Sequence, residues 1–188
     1  MSRREFGTYL VVSVGVFLLG IAAGYAVLLS GDPVADQLIE AVKNGVFADI
    51  LGDSPGMLAL KIFLNNLQAC LLLFLGGATF GLLTLFILLS NGLIIGVFAG
   101  EIAERLGPIG LAVGLIPHGI FELPALFIAA ALGLALARSL LADISGAGDA
   151  AAEAARLGGF FLRTVVPLLA AAAVVEAFIT PALLQIVV

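Results

Sequence analysis

Three ionisable side chains fall inside long apolar stretches of this chain: His118, Glu122 and Glu176. A charge at bilayer depth costs about 3 kcal/mol or more, so such a residue needs a partner or water and is a functional hypothesis by default. His118 and Glu122 are spaced i,i+4, which puts them on one helix face a turn apart. Pro117 removes a backbone donor directly before the histidine and kinks the helix. The carbonyl freed by that kink could be bonded by Asn65, Asn66 or Asn91 from a neighbouring helix.

Four chemistries suit such a set. The asparagines can bond His118 and Glu122 and fix a bundle that apolar packing alone leaves degenerate. Glu122 and His118, with Glu101 or Glu176 in addition, can form an ion or proton path. A polar pocket between helices can hold a lipid headgroup or a peptide. Hydrolysis fits worst. The pair does not match His-Glu-x-x-His, and one histidine cannot supply the two or three protein ligands a zinc protease needs. Ser13, Ser90 and Ser139 lie far from it in sequence, and Glu101 sits ahead of a Gly107-Pro108 break, near the surface. No catalytic residue, metal or cofactor is expected. The structural reading leads, with His118 and Glu122 in the helical core against the asparagines.

The composition requires lipid as solvent. The chain is 62% hydrophobic and 11% charged, with mean hydropathy +1.24, against roughly 45–50% and 25% for a soluble domain. Net charge is −5 and pI about 4.6. Binding nucleic acid takes clustered Lys and Arg, so no such partner is expected, and no basic run is long enough for a polybasic lipid-binding segment. Cys70 is the only cysteine, which excludes an intramolecular disulfide and a cysteine metal cluster.

The elements follow from run lengths. Thr8–Leu29 is longer than a signal-peptide core of roughly 7–15 residues and reads as a first membrane helix that stays. Residues 30–56 form an acidic extramembrane segment. Asp32-Pro33 starts a helix there, and Val34, Leu38, Ile39, Val42, Val46, Phe47 and Ile50 give it an amphipathic face. The apolar run from Met57 to Leu89 is expected to be interfacial up to Leu64 and to cross from about Asn65. Gly76, Gly77 and Gly81 suit close helix packing. A tight turn is expected at Ser90-Asn91-Gly92, then a short span to Arg105, a break at Gly107-Pro108, and a span over Ile109–Ala137. A polar inner loop (138–163) and a last span, Thr164–Val188, complete the chain. The fold class is therefore all-α: a single polytopic membrane domain (1–188) of five transmembrane helices, with a kinked Pro-His-Gly helix and an amphipathic extramembrane helix. A four-span reading makes 93–116 a re-entrant hairpin. With the N-terminus inside, five spans put Arg3, Arg4, Arg138, Arg156 and Arg163 inside against Lys43, Lys61 and Arg105 outside, as the positive-inside rule prefers.

Pro117-His118-Gly119-Ile120-Phe121-Glu122-Leu123-Pro124, preceded in order by Asn65-Asn66, Gly76-Gly77, Gly81, Asn91-Gly92 and Gly96, resembles the signature of the stage II sporulation protein M family. The resemblance covers roughly residues 63–137. It implies the architecture and the positions Asn66, Asn91, His118 and Glu122. In sporulating bacteria such proteins resemble a membrane scaffold that recruits cell-wall-degrading partners to the septum, and relatives occur in organisms that never sporulate.

The expected function is a non-enzymatic scaffold in membrane or envelope organisation. Its partners would be the lipid bilayer, other membrane or envelope proteins and further copies of itself. The alternative is a small transporter or channel lined by His118 and Glu122. The expected location is a multi-pass cell membrane protein with a cytoplasmic N-terminus and an outside C-terminus. Cysteines placed at Asp49 and Asp149 are then labelled by a membrane-impermeant reagent from opposite sides; labelling of both from one side contradicts the topology.

Overall fold

The computed structural model describes residues 2–42 and 54–181, with backbone only at 42, 114, 115, 117 and 118. Among the described residues the regular structure is helical throughout, and no strand occurs. Helix α1 spans Arg3–Leu29. The Ser2 hydroxyl accepts from the Glu5 amide at 3.2 Å, and the Glu5 carboxylate accepts from the Ser2 amide at 2.7 Å. This reciprocal cap satisfies two otherwise orphaned donors, which is why α1 begins ahead of the expected Thr8.

Helix α2 spans Pro33–Val42. It starts as expected at Asp32-Pro33, where Asp32 accepts from the Val34 amide at 2.9 Å. Ala35 and Ile39 are buried against Val97, beside Leu28 and Phe98, so α2 caps one end of the bundle. The rest of the expected amphipathic face, Val46, Phe47 and Ile50, lies outside the described residues.

Helix α3 spans Pro55–Leu75 and tightens into a 3-10 turn over Gly76–Thr79. Phe80 (φ 55°) and Gly81 (φ 84°) then take left-handed conformations that reverse the chain into α4. This corrects the expected second span, which ran on to Leu89 and turned at Ser90-Asn91-Gly92. Those three residues are helical. Ser90 and Asn91 donate to the carbonyls of Phe86 and Ile87, each at 2.8 Å, so their polar groups are satisfied inside the helix instead of breaking it.

Helix α4 spans Leu82–Ile144 and contains one non-helical residue, Gly107 (φ 71°), followed by Pro108. The chain doubles back there. A Cβ on Gly92 would strike the Phe17 carbonyl, and the Phe127 ring meets the Phe17 ring edge-on at 5.2 Å. Tyr25 and Leu28, further along α1, touch Gly100, whereas Glu5 at its start reaches Arg138. The first arm of α4 (82–106) therefore runs parallel to α1 and the second arm (108–144) antiparallel. Pro117 lies within helical backbone of the second arm.

Helix α5 spans Ala150–Val174 and widens into a π-turn over Val175–Ile179. Asp149 caps it, accepting from the Ala152 amide at 2.9 Å. The connection between α4 and α5 is thus residues 145–149, not the expected 138–163. The last span begins well before Thr164, and residues 182–188 lie outside the description. Among the described residues five stretches are long and apolar enough to cross a membrane: Arg3–Leu29, Pro55–Thr79, Leu82–Val113, Gly119–Ile144 and Ala150–Ile179. The protein is a polytopic helical bundle.

Glycines set its closest contacts. A Cβ on Gly20 or Gly24 would overlap the carbonyl of Leu89 or Leu93, and a Cβ on Gly96 that of Ile21. Two parallel Gly-x-x-x-Gly segments, 20–24 and 92–96, therefore meet backbone to backbone. On the far side of the second arm, Gly77 and Gly133 make the same kind of approach, and the buried Thr84 hydroxyl donates to the Leu73 carbonyl at 2.8 Å. Gly24→Val and Gly96→Val are each expected to destabilise the bundle by about 2 kcal/mol or more. Gly15→Val, where nothing lies within 4 Å, is expected to stay within about 0.5 kcal/mol. Unfolding titrations in mixed micelles measure the difference.

Candidate functional site

The second arm of α4 is the centre of the bundle. In Gly119–Ile144, 56% of the most apolar window is buried, against at most 28% in the other spans. α1 covers one side of it, and α3 and α5 cover another, through Cys70, Leu73, Phe161, Val165 and Leu169. The burial is concentrated at 125–137, and the start of the arm is only partly covered.

Glu122 is partly buried on that arm. Its carboxylate lies within electrostatic reach of the buried Cys70 thiol on α3. Asn66, half-buried, precedes Cys70 by four residues and so shares its face of α3. The fold thus turns Glu122 and Asn66 toward the same helix contact. Asn65 is exposed and its amide donates to Asn66 at 3.5 Å. Asn91 sits on the first arm and bonds its own helix. The hydrogen bonds described for the three asparagines are therefore local. The side chains of Pro117 and His118 lie outside the described residues. Their backbone is helical, so the one-turn spacing from His118 to Glu122 and the position of Gly119 beside it stand.

Glu101 pairs with Arg105 at 2.9 Å one turn before Gly107; the glutamate side chain is 12% exposed and the arginine 70%. The carboxylate is thus sheltered while its partner reaches outward from the end of the bundle.

Glu176 lies within the π-turn of α5. A π-turn inserts an extra residue per turn and is found frequently at functional sites. The buried Thr180 hydroxyl donates to Glu176 Oε2 at 2.9 Å. This turn packs against both α3 and α4, so the carboxylate joins the same three-helix region as Glu122. The Glu-x-x-x-Thr spacing was the sequence signal for that bond. Sequence reading also passed over Gly20 and Gly24, whose small-residue spacing is meaningful only once Gly92 and Gly96 are known to face it. Among the described residues no three His, Cys, Asp or Glu side chains gather in a group that could hold a metal ion.

Residues 13–181 match the family described as Stage II sporulation protein M. The chain belongs to that family. The match extends well beyond the segment carrying the Pro-His-Gly-Ile-Phe-Glu signature. It takes in most of α1, the whole α4 hairpin and α5 through its π-turn, so the family unit is the bundle itself. The chain is also similar to an uncharacterized protein of Methanocaldococcus jannaschii, with 31% identity over 125 residues. That alignment covers 66% of this chain and 65% of the relative, slightly less than two thirds of the relative's length. No solved structure matches the chain.

In this family member, Thr180→Val removes the bond to Glu176 while keeping side-chain volume. It is expected to lower stability by about 1 kcal/mol. Ser30→Ala, which removes an exposed bond to the Val27 carbonyl, is expected to change it by no more than about 0.5 kcal/mol. Matched unfolding curves in detergent measure both.

Proposed function

We propose that this protein is a non-enzymatic membrane scaffold, which works by holding its partners in position in membrane or envelope organisation. The observation that carries this reading is the closure of the bundle by backbone contact. Gly20, Gly24, Gly92 and Gly96 bring α1 into the α4 hairpin, and Gly77 with Gly133 bring α3 onto its second arm. Alternating access needs one helical unit to rock against another, and such interlocked backbones resist it. Large apolar side chains such as Val11, Leu19, Phe86 and Leu162 point outward, a surface suited to lipid, to other membrane proteins or to further copies of the chain. The proposed orientation keeps the N-terminus in the cytoplasm and the C-terminus outside.

A second reading, a small transporter or channel, draws on Glu122 and Glu176, two partly buried carboxylates on neighbouring helices. Purified protein in liposomes with an internal pH-sensitive dye separates the two. The scaffold reading expects proton flux equal to that of empty liposomes, and no change in Glu122→Gln. Flux above that background that is abolished by Glu122→Gln overturns it in favour of the path.

A further inference from the structure

One cavity opens where the start of α1, the end of α4 and the start of α5 meet. It is a half-open depression of about 290 Å³, and its polar lining is Tyr9, Arg138, Ser139, Asp149 and Glu153. The rest of the wall is small: alanines from α4, and Gly148 from the connection. This volume is at the lower end for ligand cavities. It has room for a headgroup and not for acyl chains.

The charges of the lining are sorted by helix. On the α1–α4 side, Arg138 is held by the Glu5 carboxylate and the Tyr9 hydroxyl, yet its side chain remains 61% exposed. A guanidinium carries five N–H donors in a planar fork, so this anchoring leaves donors for a further anion beside the Ser139 hydroxyl. On the α5 side, Asp149 uses Oδ1 as the helix cap and leaves Oδ2 for another donor. Glu153 pairs with Arg156, whose Nε donates at 2.8 Å. With the N-terminal ammonium that also bonds Glu153, Arg138 and Arg156 balance Glu5, Asp149 and Glu153, so this set is neutral overall. A ligand carrying an anion toward α4 and a cation toward α5 matches both walls. A purely anionic ligand adds charge of the wrong sign beside two carboxylates.

The depth of the cavity points to the source of such a ligand. Tyr9 lies two turns into α1, Arg138 less than two turns from the end of α4 at Ile144, and Asp149 at the start of α5. These are the ends of apolar spans, the level at which tyrosine and arginine settle and lipid headgroups lie. Leu141 and Phe160, both exposed at this end, offer apolar surface along which attached chains could run.

We propose that this cavity binds the phosphoethanolamine headgroup of a membrane aminophospholipid. The phosphodiester lies against Arg138 and Ser139, and the primary ammonium donates to Asp149. Phosphatidylglycerol lacks the amine. Phosphatidylcholine carries a trimethylammonium that cannot donate hydrogen bonds. Both bind more weakly.

The test is native mass spectrometry of the full chain released from nanodiscs holding equal parts dioleoyl phosphatidylethanolamine, phosphatidylglycerol and phosphatidylcholine. Retained phosphatidylethanolamine is expected to exceed each of the others by about tenfold, the effect of one charge-assisted hydrogen bond. Arg138→Gln and Asp149→Asn, which keeps the helix cap, are each expected to remove most of that preference. Arg138→Gln also releases Glu5, so Ser139→Ala, which leaves the ion pairs intact, serves as a second variant and is expected to weaken retention roughly threefold. Soluble glycerophosphoethanolamine is expected to displace the lipid at concentrations where inorganic phosphate does not. Equal retention of the three lipids, a preference for phosphatidylglycerol, or a preference unchanged in both charge variants overturns the proposal. Displacement by phosphate as effective as that by glycerophosphoethanolamine overturns the role of the amine.

Discussion

Lipid tails are as apolar as leucine, so helices in a bilayer gain little by hiding apolar surface from one another, and their association depends on close van der Waals contact and on bonded polar groups. In this protein that contact is made where glycine lets two backbones touch. Gly20 and Gly24 of α1 rest against Leu89 and Leu93, while Gly92 and Gly96 accept Phe17 and Ile21 in return. The consequence extends beyond one helix pair. Because α1 also reaches Phe127 and Arg138, it holds both arms of α4 together. The reversal at Gly107 is thereby fixed as a hairpin.

Once α1 fills one side of that hairpin and α3 with α5 covers another, the second arm becomes the interior. Polar groups at this depth need partners; the buried Ser13 hydroxyl has no hydrogen bond among the described residues, and the fold supplies the others in two ways. Some bond the backbone, as Thr84 does to Leu73 and Asn91 to Ile87. Others meet across or along helices, as Thr180 does with Glu176. Glu122 faces Cys70 from the centre of this arrangement. Of the family signature, Glu122 thus lies where the second arm of α4 meets α3.

The two ends of the bundle are built differently. At one, α2 lays Ala35 and Ile39 over Val97, and Glu101 shelters beside Arg105. At the other, Glu5 caps α1 and grips Arg138, while Glu153 and Arg156 pair on the first turns of α5. This second end combines opposite charges with an opening. A rigid glycine-packed interior between two dissimilar ends suits a protein that acts through its surfaces and faces, which is the basis of the scaffold reading.

Composition and run lengths marked a helical membrane protein, and the count of basic residues on each side chose five spans over four. A chain so poor in charge cannot cover itself with polar surface in water, and a bilayer core fixes how many residues a span needs. The helix start at Asp32-Pro33 and the break at Gly107-Pro108 were legible too, because proline and glycine limit the backbone locally. Residues 57–89 were not. Their charged and amide residues, Lys61, Asn65, Asn66 and Gln68, all precede Ala69, so no change of pattern marks where α3 stops. The reversal depends on left-handed backbone at Phe80 and Gly81, and a phenylalanine gives no sign of that conformation. Ser90-Asn91-Gly92 carried turn residues, yet the side chains satisfied themselves on the preceding turn and Gly92 was needed for contact with α1. Of the candidate site, the sequence determined the shared face of His118 and Glu122, since that follows from helix period alone. Only the tertiary structure decided that Glu122 meets α3 at Cys70 and that Glu176 joins the same helices through a π-turn. It alone brought Glu5 to Arg138, 133 positions away. Helices surrounded by lipid are apolar on nearly every face, so their sequences do not say which face meets which.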